Sequence, residues 1–295
     1  MKISKDQEFY INLTEEFNKE LYNLSDKEIN KILKTHKIDR DTFLNEIGRI
    51  VLTYNVKEDS LSLKSNEKIV INNSMDKIIN DIFKTQTQQE LSKVKDVLTN
   101  MALDKYYSNA YILSLGLDFK LKKVSEKQLK NIIDKTIEGK LYSDRIWNNK
   151  NNVAKALKLE IRKFINGEIN LNEIEKTVKT KFSINANNTK RLVRTETARV
   201  MEQANEVFAD EHNIEYQLFS ATLDNLTSEI CSNLDGKVFK YDDPDKPICP
   251  VHPNCRSTLI SLPSKEYRPK TRLNNITKER VDYKTYQEWK DKKDL

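Results

Sequence analysis

The chain has 295 residues, 37% hydrophobic and 33% charged, with a formal net charge of +6. That length suits one or two domains with a buried core, and no apolar run approaches the ~20 residues that a membrane span requires. The opening stretch MKISKDQEFYINLTEEF lacks an apolar signal segment, so a cytoplasmic product without membrane partners is expected, and three cysteines, an odd number, argue against a secreted disulfide scaffold.

The composition is uneven along the chain. All six prolines and all three cysteines lie between residues 231 and 269, and only five glycines occur in the whole sequence. The first 243 residues hold no helix-stopping proline, so most of the chain should be helical. Residues 1–100 carry 16 Lys+Arg and 17 Asp+Glu, residues 101–200 carry 21 and 11, and residues 201–295 carry 14 and 17, so a basic excess of +10 sits in the middle.

In chain order, Leu13, Phe17, Leu21 and Leu24 recur at three and four residues, which places them on one stripe of a helix. Ser25 with Glu28 reads as a capping box that starts the next helix, over Ile29, Ile32 and Leu33. Residues 52–71 suit a short hairpin. Met75, Ile78, Ile79, Ile82 and Phe83 form another apolar stripe, Thr85 to Glu90 continue it as a polar helical face, and Val94, Val97, Leu98 and Met101 resume it. Ser125 with Gln128 marks a further helix start before Leu129, Ile132 and Ile133.

Gly139 interrupts this pattern. A helix then runs from about Ser143 through Val153, Leu157, Ile161 and Phe164 to a C-cap at Gly167. Asn170 with Glu173 opens a short helix over Ile174 and Val178, and a longer one follows from about Asn188 to His212. After it the period becomes alternating. Residues 216–220, Val238 with Phe239, and 258–262 read as three short strands, with a hairpin turn at Leu234–Gly236 because Asp-Gly supplies positive φ.

The expected architecture is mainly α with a small C-terminal α+β module, its long helix packed on a short antiparallel sheet. Four segments follow: an N-terminal helical region 1–100, a basic helical region 101–185, the module 186–265 and a charged tail 266–295.

Three groups of residues could carry chemistry. Cys231, Cys249, His252 and Cys255 fall within 25 residues, and Cys and His are the residues that hold structural zinc, four to a tetrahedron. The competing reading makes the cysteines small buried hydrophobes and His252 a hydrogen-bonded loop residue. The second group is RLVRTETARV, Arg191 to Val200, where Glu196 borders an apolar helical face and needs a partner, for which Arg256 is the candidate. A helix this charged otherwise reads as a solvated face with one structural ion pair. The third is a basic stripe, Lys120, Lys122, Lys123, Lys127 and Lys130 followed by Lys155, Lys158, Arg162 and Lys163, which suits salt-dependent, sequence-independent DNA binding. Phosphate-loop, dinucleotide-binding, HExxH and GxSxG signatures are absent from the sequence. His36 and His212, alone in polar surroundings, read as surface residues.

RLVRTETARV, ATLDNLTSEICSNLDGKVF and HPNCRS together resemble the signature of phage minor head (head morphogenesis) proteins, the Mu F-like family. GKLYSDRIWNNKNNVAKAL and VDYKTYQEWKDKK are also similar to segments of such proteins, so the resemblance covers roughly 100–290. Carried over by position, it marks Arg194, Thr195, Glu196, Asp224, Thr227, Cys231, Asp235, Gly236, His252, Pro253, Asn254, Cys255 and Arg256. It implies a non-enzymatic minor component of the phage head, working with the portal protein, packaged double-stranded DNA and scaffold or capsid protein. The product would pass through the host cytoplasm into the virion head. Many members carry extra cysteines where this chain has Ser228 and Ser257, whereas Cys249 is an addition here.

Two further functions belong to other classes. One is a hydrolase or transferase with a Glu196, Asp224 and His252 site, and the other a free-standing DNA-binding protein. The proline-rich loop of the module needs a tie to helix and sheet. Zinc on Cys231, Cys249, His252 and Cys255 is one tie. A network of Glu196, Asp224, His252 and Arg256 is the other, and the serines at 228 and 257 favour it.

Overall fold

The computed structural model describes residues 5–114, 123–262 and 264–291. Helices dominate, as the absence of early prolines requires. They are α1 (Lys5–Thr53), α2 (Ser65–Ser114), α3 (Glu126–Ile133), α4 (Tyr142–Asn166), α5 (Leu171–Glu211), α6 (Glu229–Leu234) and α7 (Tyr286–Asp291). The strands are β1 (Val56–Lys57), β2 (Ser60–Leu61), β3 (Tyr216–Ser220), β4 (Val238–Lys240), β5 (Thr258–Leu262), β6 (Thr271–Leu273) and β7 (Arg280–Asp282). No described helix is long and apolar enough to cross a membrane.

Contacts divide the chain into two compact units that interleave in sequence. One draws on residues 1–26, 96–135 and 193–295, the other on 27–95 and 136–192.

The second unit is a helical core of Phe43, Ile47, Met75, Ile79, Leu157, Phe164, Val178 and Phe182, with the β1–β2 hairpin laid against it. Gly167 ends α4 in the left-handed region at φ 78, and a Cβ there would stand 2.9 Å from the Leu61 carbonyl, so only glycine fits. Asn170 and Glu173 cap α5 reciprocally. The two helices expected on either side of residue 188 are one continuous helix.

Inside this unit lies a polar cluster. Lys150 Nζ is 2.6 Å from Glu90, His36 Nε2 is 3.2 Å from Glu90, and Lys150 also donates to Asn185 and Thr189. His36 is therefore a buried residue, contrary to its expected surface position. Gln86, Thr87 and Glu90 likewise turn inward, so part of the expected polar face of α2 is core. Helical spacing alone cannot separate a solvated face from one whose polar groups meet partners on other helices.

The first unit holds the module. Antiparallel strands run in the order β4-β3-β5, with Leu218 opposite both Val238 and Ile260, and Phe219 opposite Leu259. Alternation puts Leu218, Ile260 and Leu262 on one face, against Tyr267, and Phe219 with Leu259 on the other, against the three cysteines. Strand β5 is a sheet edge, and α5 closes it: Leu259 donates to Glu202 and accepts from Asn205. The expected strands thus form, but the Leu234–Gly236 turn joins α6 to β4 rather than two strands. Ser25 does not start a helix either. It lies inside α1, buried, with its hydroxyl 2.9 Å from that of Thr197. Ser125 does cap α3 with Gln128 as expected.

Candidate functional site

Five of the marked residues, Arg194, His252, Pro253, Asn254 and Arg256, line one cleft of about 570 Å³ in the first unit, together with Asn18 and Asp26 of α1. The loop carrying them is tied to α5 through Thr195, whose hydroxyl accepts from the Asn254 amide at 3.0 Å. Asn254 adopts φ 60, a left-handed conformation that asparagine tolerates better than most side chains. Arg194 makes a two-pronged pair with Asp26, both bonds at 2.7 Å.

Beside this cleft the module is held by paired charges, although not in the combination the sequence suggested. Glu196 pairs with Arg199, Nε to Oε2 at 2.6 Å, and the Arg199 guanidinium also donates to the Ile132 and Ile133 carbonyls at the end of α3. Arg256 instead pairs with Asp224. Asp224 caps its own turn by accepting from the Leu226 amide, and Thr227 donates to the Thr222 carbonyl. The stretch Thr195–Val200 is buried rather than a solvated charged face. Glu196 is held by Arg199, Asp224 by Arg256, and His252 Nε2 lies 3.2 Å from Cys231 Sγ, so each side chain of the enzymatic alternative meets a different partner.

Asp235 is the hub of the module. Its carboxylate accepts from the Ala221 and Tyr286 amides and from two guanidinium nitrogens of Arg272. Gly236 follows at φ 79, where a Cβ would stand 3.1 Å from Thr285. Residues 271–291, read from sequence as part of a charged tail, supply a hairpin and a helix with buried Arg272, Tyr286 and Trp289. The signal available was Tyr286 and Trp289 spaced three apart, too short a run to register as a helix.

Among the described residues, the cysteine group is where a metal would fit. Donor atoms of Cys231, His252 and Cys255 all lie within 4.8 Å of one another, and the Cys231–Cys255 sulfur separation is 3.7 Å. A tetrahedral zinc with bonds of ~2.3 Å to sulfur sets its ligands ~3.8 Å apart. His252 Nδ1 donates to the Pro253 carbonyl at 2.8 Å, which leaves Nε2 as the unprotonated nitrogen, aimed at Cys231 Sγ at 3.2 Å. This orientation by a backbone carbonyl is typical of ligating histidines. Hydrogen bonds from Cys231 and Cys249 hold the Cys255 thiol well below its ordinary value, while the bond to Cys255 together with burial pushes the other two up. Cys249 is buried in the same cluster, outside the set of three mutually close donors.

Of the basic stripe, Lys120 and Lys122 lie outside the described residues. Lys123 and Lys155 are exposed, whereas Lys158 donates to Asn80, Arg162 pairs with Asp76 and Lys163 with Glu160.

Residues 155–260 match the family model described as phage Mu protein F like protein, in agreement with the resemblance carried by RLVRTETARV and HPNCRS. The matched stretch includes the C-terminal part of α4, all of α5, β3, α6 and β4, and the start of β5. No curated protein and no solved structure matches the chain.

Proposed function

We propose that this chain is a non-enzymatic minor head protein of a bacteriophage, acting in head morphogenesis through contact with the portal and, by its basic residues, with packaged DNA. The observation that carries this reading is the phage Mu protein F like match over residues 155–260. The burial of its signature residues supports a structural role. Thr195, Glu196, Asp224 and Asp235 are spent on holding the loop, the sheet and the C-terminal hairpin together rather than presented to a substrate.

In this reading Cys231, His252 and Cys255 hold a structural zinc, with Cys249 as the nearest further thiol. The metal would supply a fixed link between α6 and the proline-rich loop. The cations on α4 that pair with Asp76 and Glu160 remain available to phosphate, because exposed ion pairs are worth at most ~1 kcal/mol.

The test is composition and copurification. Mass spectrometry of heads from the phage that encodes this chain should find it there, and tagged chain coexpressed with that phage's portal protein should copurify with it. Infectious heads assembled without the chain would overturn the assignment.

A further inference from the structure

Behind the wall of the cleft stands a thiol pair that can be linked in a second way. Cys231 of α6 and Cys255, in the loop between β4 and β5, are both buried and bring their sulfurs to 3.7 Å. His252 and Ser228 line the cleft in front of them. Cys231 Sγ lies 3.2 Å from His252 Nε2, and the Cys231 amide donates to Ser228 Oγ. One layer of side chains, with His252 only half-buried, thus separates the Cys231 sulfur from the cleft. The third thiol, Cys249, is hydrogen-bonded to Cys255.

We propose that Cys231 and Cys255 form a reversible oxidation site, at which a hydroperoxide converts the two thiols to a disulfide and expels the metal; as regulation of that site, the proposal rests on the zinc reading. Hydrogen peroxide, little larger than water, enters from the cleft past His252. The Cys231 sulfur attacks one peroxide oxygen, the O–O bond breaks, and the thiol proton leaves with the other oxygen as water. The sulfenic acid so formed has the Cys255 thiol in contact, and sulfenic acids condense with a neighbouring thiol. The Cys255 sulfur displaces the hydroxyl group, which departs as water with the Cys255 proton. The two sulfurs lose a pair of electrons to the peroxide, so two thiols and one peroxide become one disulfide and two waters.

Metal and disulfide exclude each other. Zinc holds its sulfurs ~3.8 Å apart, whereas a disulfide brings them to ~2.05 Å. Closing the pair from 3.7 Å leaves neither sulfur free as a thiolate ligand. Both links nonetheless join α6 to the proline-rich loop, so the tie persists in either state. A reducing cytoplasm keeps the thiols for metal while heads assemble, and a released particle meets no such thiol pool.

The test uses the full chain, purified under reductant, with its zinc content measured before the reductant is removed and hydrogen peroxide added. Reactive thiols should fall from three to one, and the intact mass should drop by two hydrogens. A non-reducing digest should join the peptides that hold Cys231 and Cys255, zinc should be released in step with the disulfide, and dithiothreitol should restore all thiols. Cys249→Ser should form the same bond, and Cys231→Ser should react far more slowly than the wild type. Chain purified without zinc would end the metal reading, while its thiols would still score the disulfide. The proposal is overturned if the folded chain keeps three thiols under peroxide that oxidises free glutathione, if the bond joins Cys249 or a second chain, or if the cysteines only gain oxygen. Should the Cys231 variant fail to fold, the wild-type digest still decides.

Discussion

Arg272 and Asp235 form a two-pronged ion pair in the interior of the C-terminal module, with Nη1 to Oδ2 at 2.7 Å and Nη2 to Oδ1 at 3.0 Å. Both side chains are essentially inaccessible. The guanidinium also donates to the Ala221 and Lys284 carbonyls, so β3, α6, β6 and the approach to α7 meet at one charge pair. Removing one partner of such a pair strands the other in a poorly solvating interior, at a cost of roughly 3–5 kcal/mol. Arg272→Met should therefore lower the unfolding free energy of the first unit by about that amount, read from urea titration. Asp235→Asn, which strands the Arg272 guanidinium and turns one of the two oxygens that accept the Ala221 and Tyr286 amides into a donor, should cost at least as much. A loss below ~1 kcal/mol for Arg272→Met would mean that the pair does not organise the module.

The sequence made local features legible and long-range pairing illegible. The cap at Ser125, the glycine stop at Gly167 and the three alternating strands depend on neighbours within a few residues, and all three form. Spacing alone makes Glu196 and Asp224 equal choices as the partner of Arg256, and the structure pairs it with Asp224. The structure gives Glu196 to Arg199, three residues on in the same helix. His36 escaped for a related reason, since its partners Glu90 and Lys150 come from distant helices and a single polar residue carries no sign of which way it faces. Of the cysteine group, Cys231, His252 and Cys255 converge as their proximity in the sequence suggested, because α6 and the loop after β4 return to the same side of the sheet.

The cluster in the second unit should make that unit acid-sensitive. Burial lowers His36 from 6.5, and the nearby Lys150 ammonium adds to this against the opposing pull of Glu90 and Asp39. Its unfolded form therefore binds a proton that the folded form resists, and stability falls as pH drops through 6.5. Burial raises Glu90, but the bond from His36 and the charge of Lys150 outweigh it, so its net value lies below 4.5. That contribution is present above 4.5 and is lost as pH falls further, through the folded value. Lys150 is lowered from 10.5 chiefly by burial, so its unfolded form holds the proton more tightly and stability rises as pH climbs from the lowered value to 10.5. Thermal melts of His36→Gln should show a flatter profile just below pH 6.5 than the wild type, and identical slopes there would refute the account.

DNA binding by the basic stripe should be strongly salt-dependent and independent of sequence. Each phosphate neutralised on duplex DNA contributes about −0.9 to the slope of log affinity against log salt. Changing Lys155, Lys158, Arg162 and Lys163 to glutamine should make that slope shallower by up to ~0.9 for each phosphate no longer neutralised. The effect of Lys155 should exceed that of Arg162, whose guanidinium is shared with Asp76 at 3.3 Å. A slope unchanged in the fourfold variant would remove α4 from the DNA interface, and no binding at low salt would remove DNA from the partners altogether.

The last prediction concerns what ties the proline-rich loop to the rest of its module. Cys231 lies on α6 and Cys255 follows β4 after fifteen residues, yet their sulfurs stand 3.7 Å apart with the His252 ring turned toward them. As free thiols these groups gain only weak hydrogen bonds, whereas a shared zinc would make their spacing and the His252 tautomer one requirement. Purified chain should then carry one zinc by elemental analysis. Cys231→Ser and Cys255→Ser should each abolish binding, Cys249→Ser should weaken it less if water takes the fourth position, and a chelator should loosen the loop in the wild type. Loosening would appear as faster amide exchange across residues 249–257, with the helices of the second unit unaffected. Metal-free chain that matches the loaded chain in exchange would return the task to Thr195, whose bond to the Asn254 amide is then the main tie.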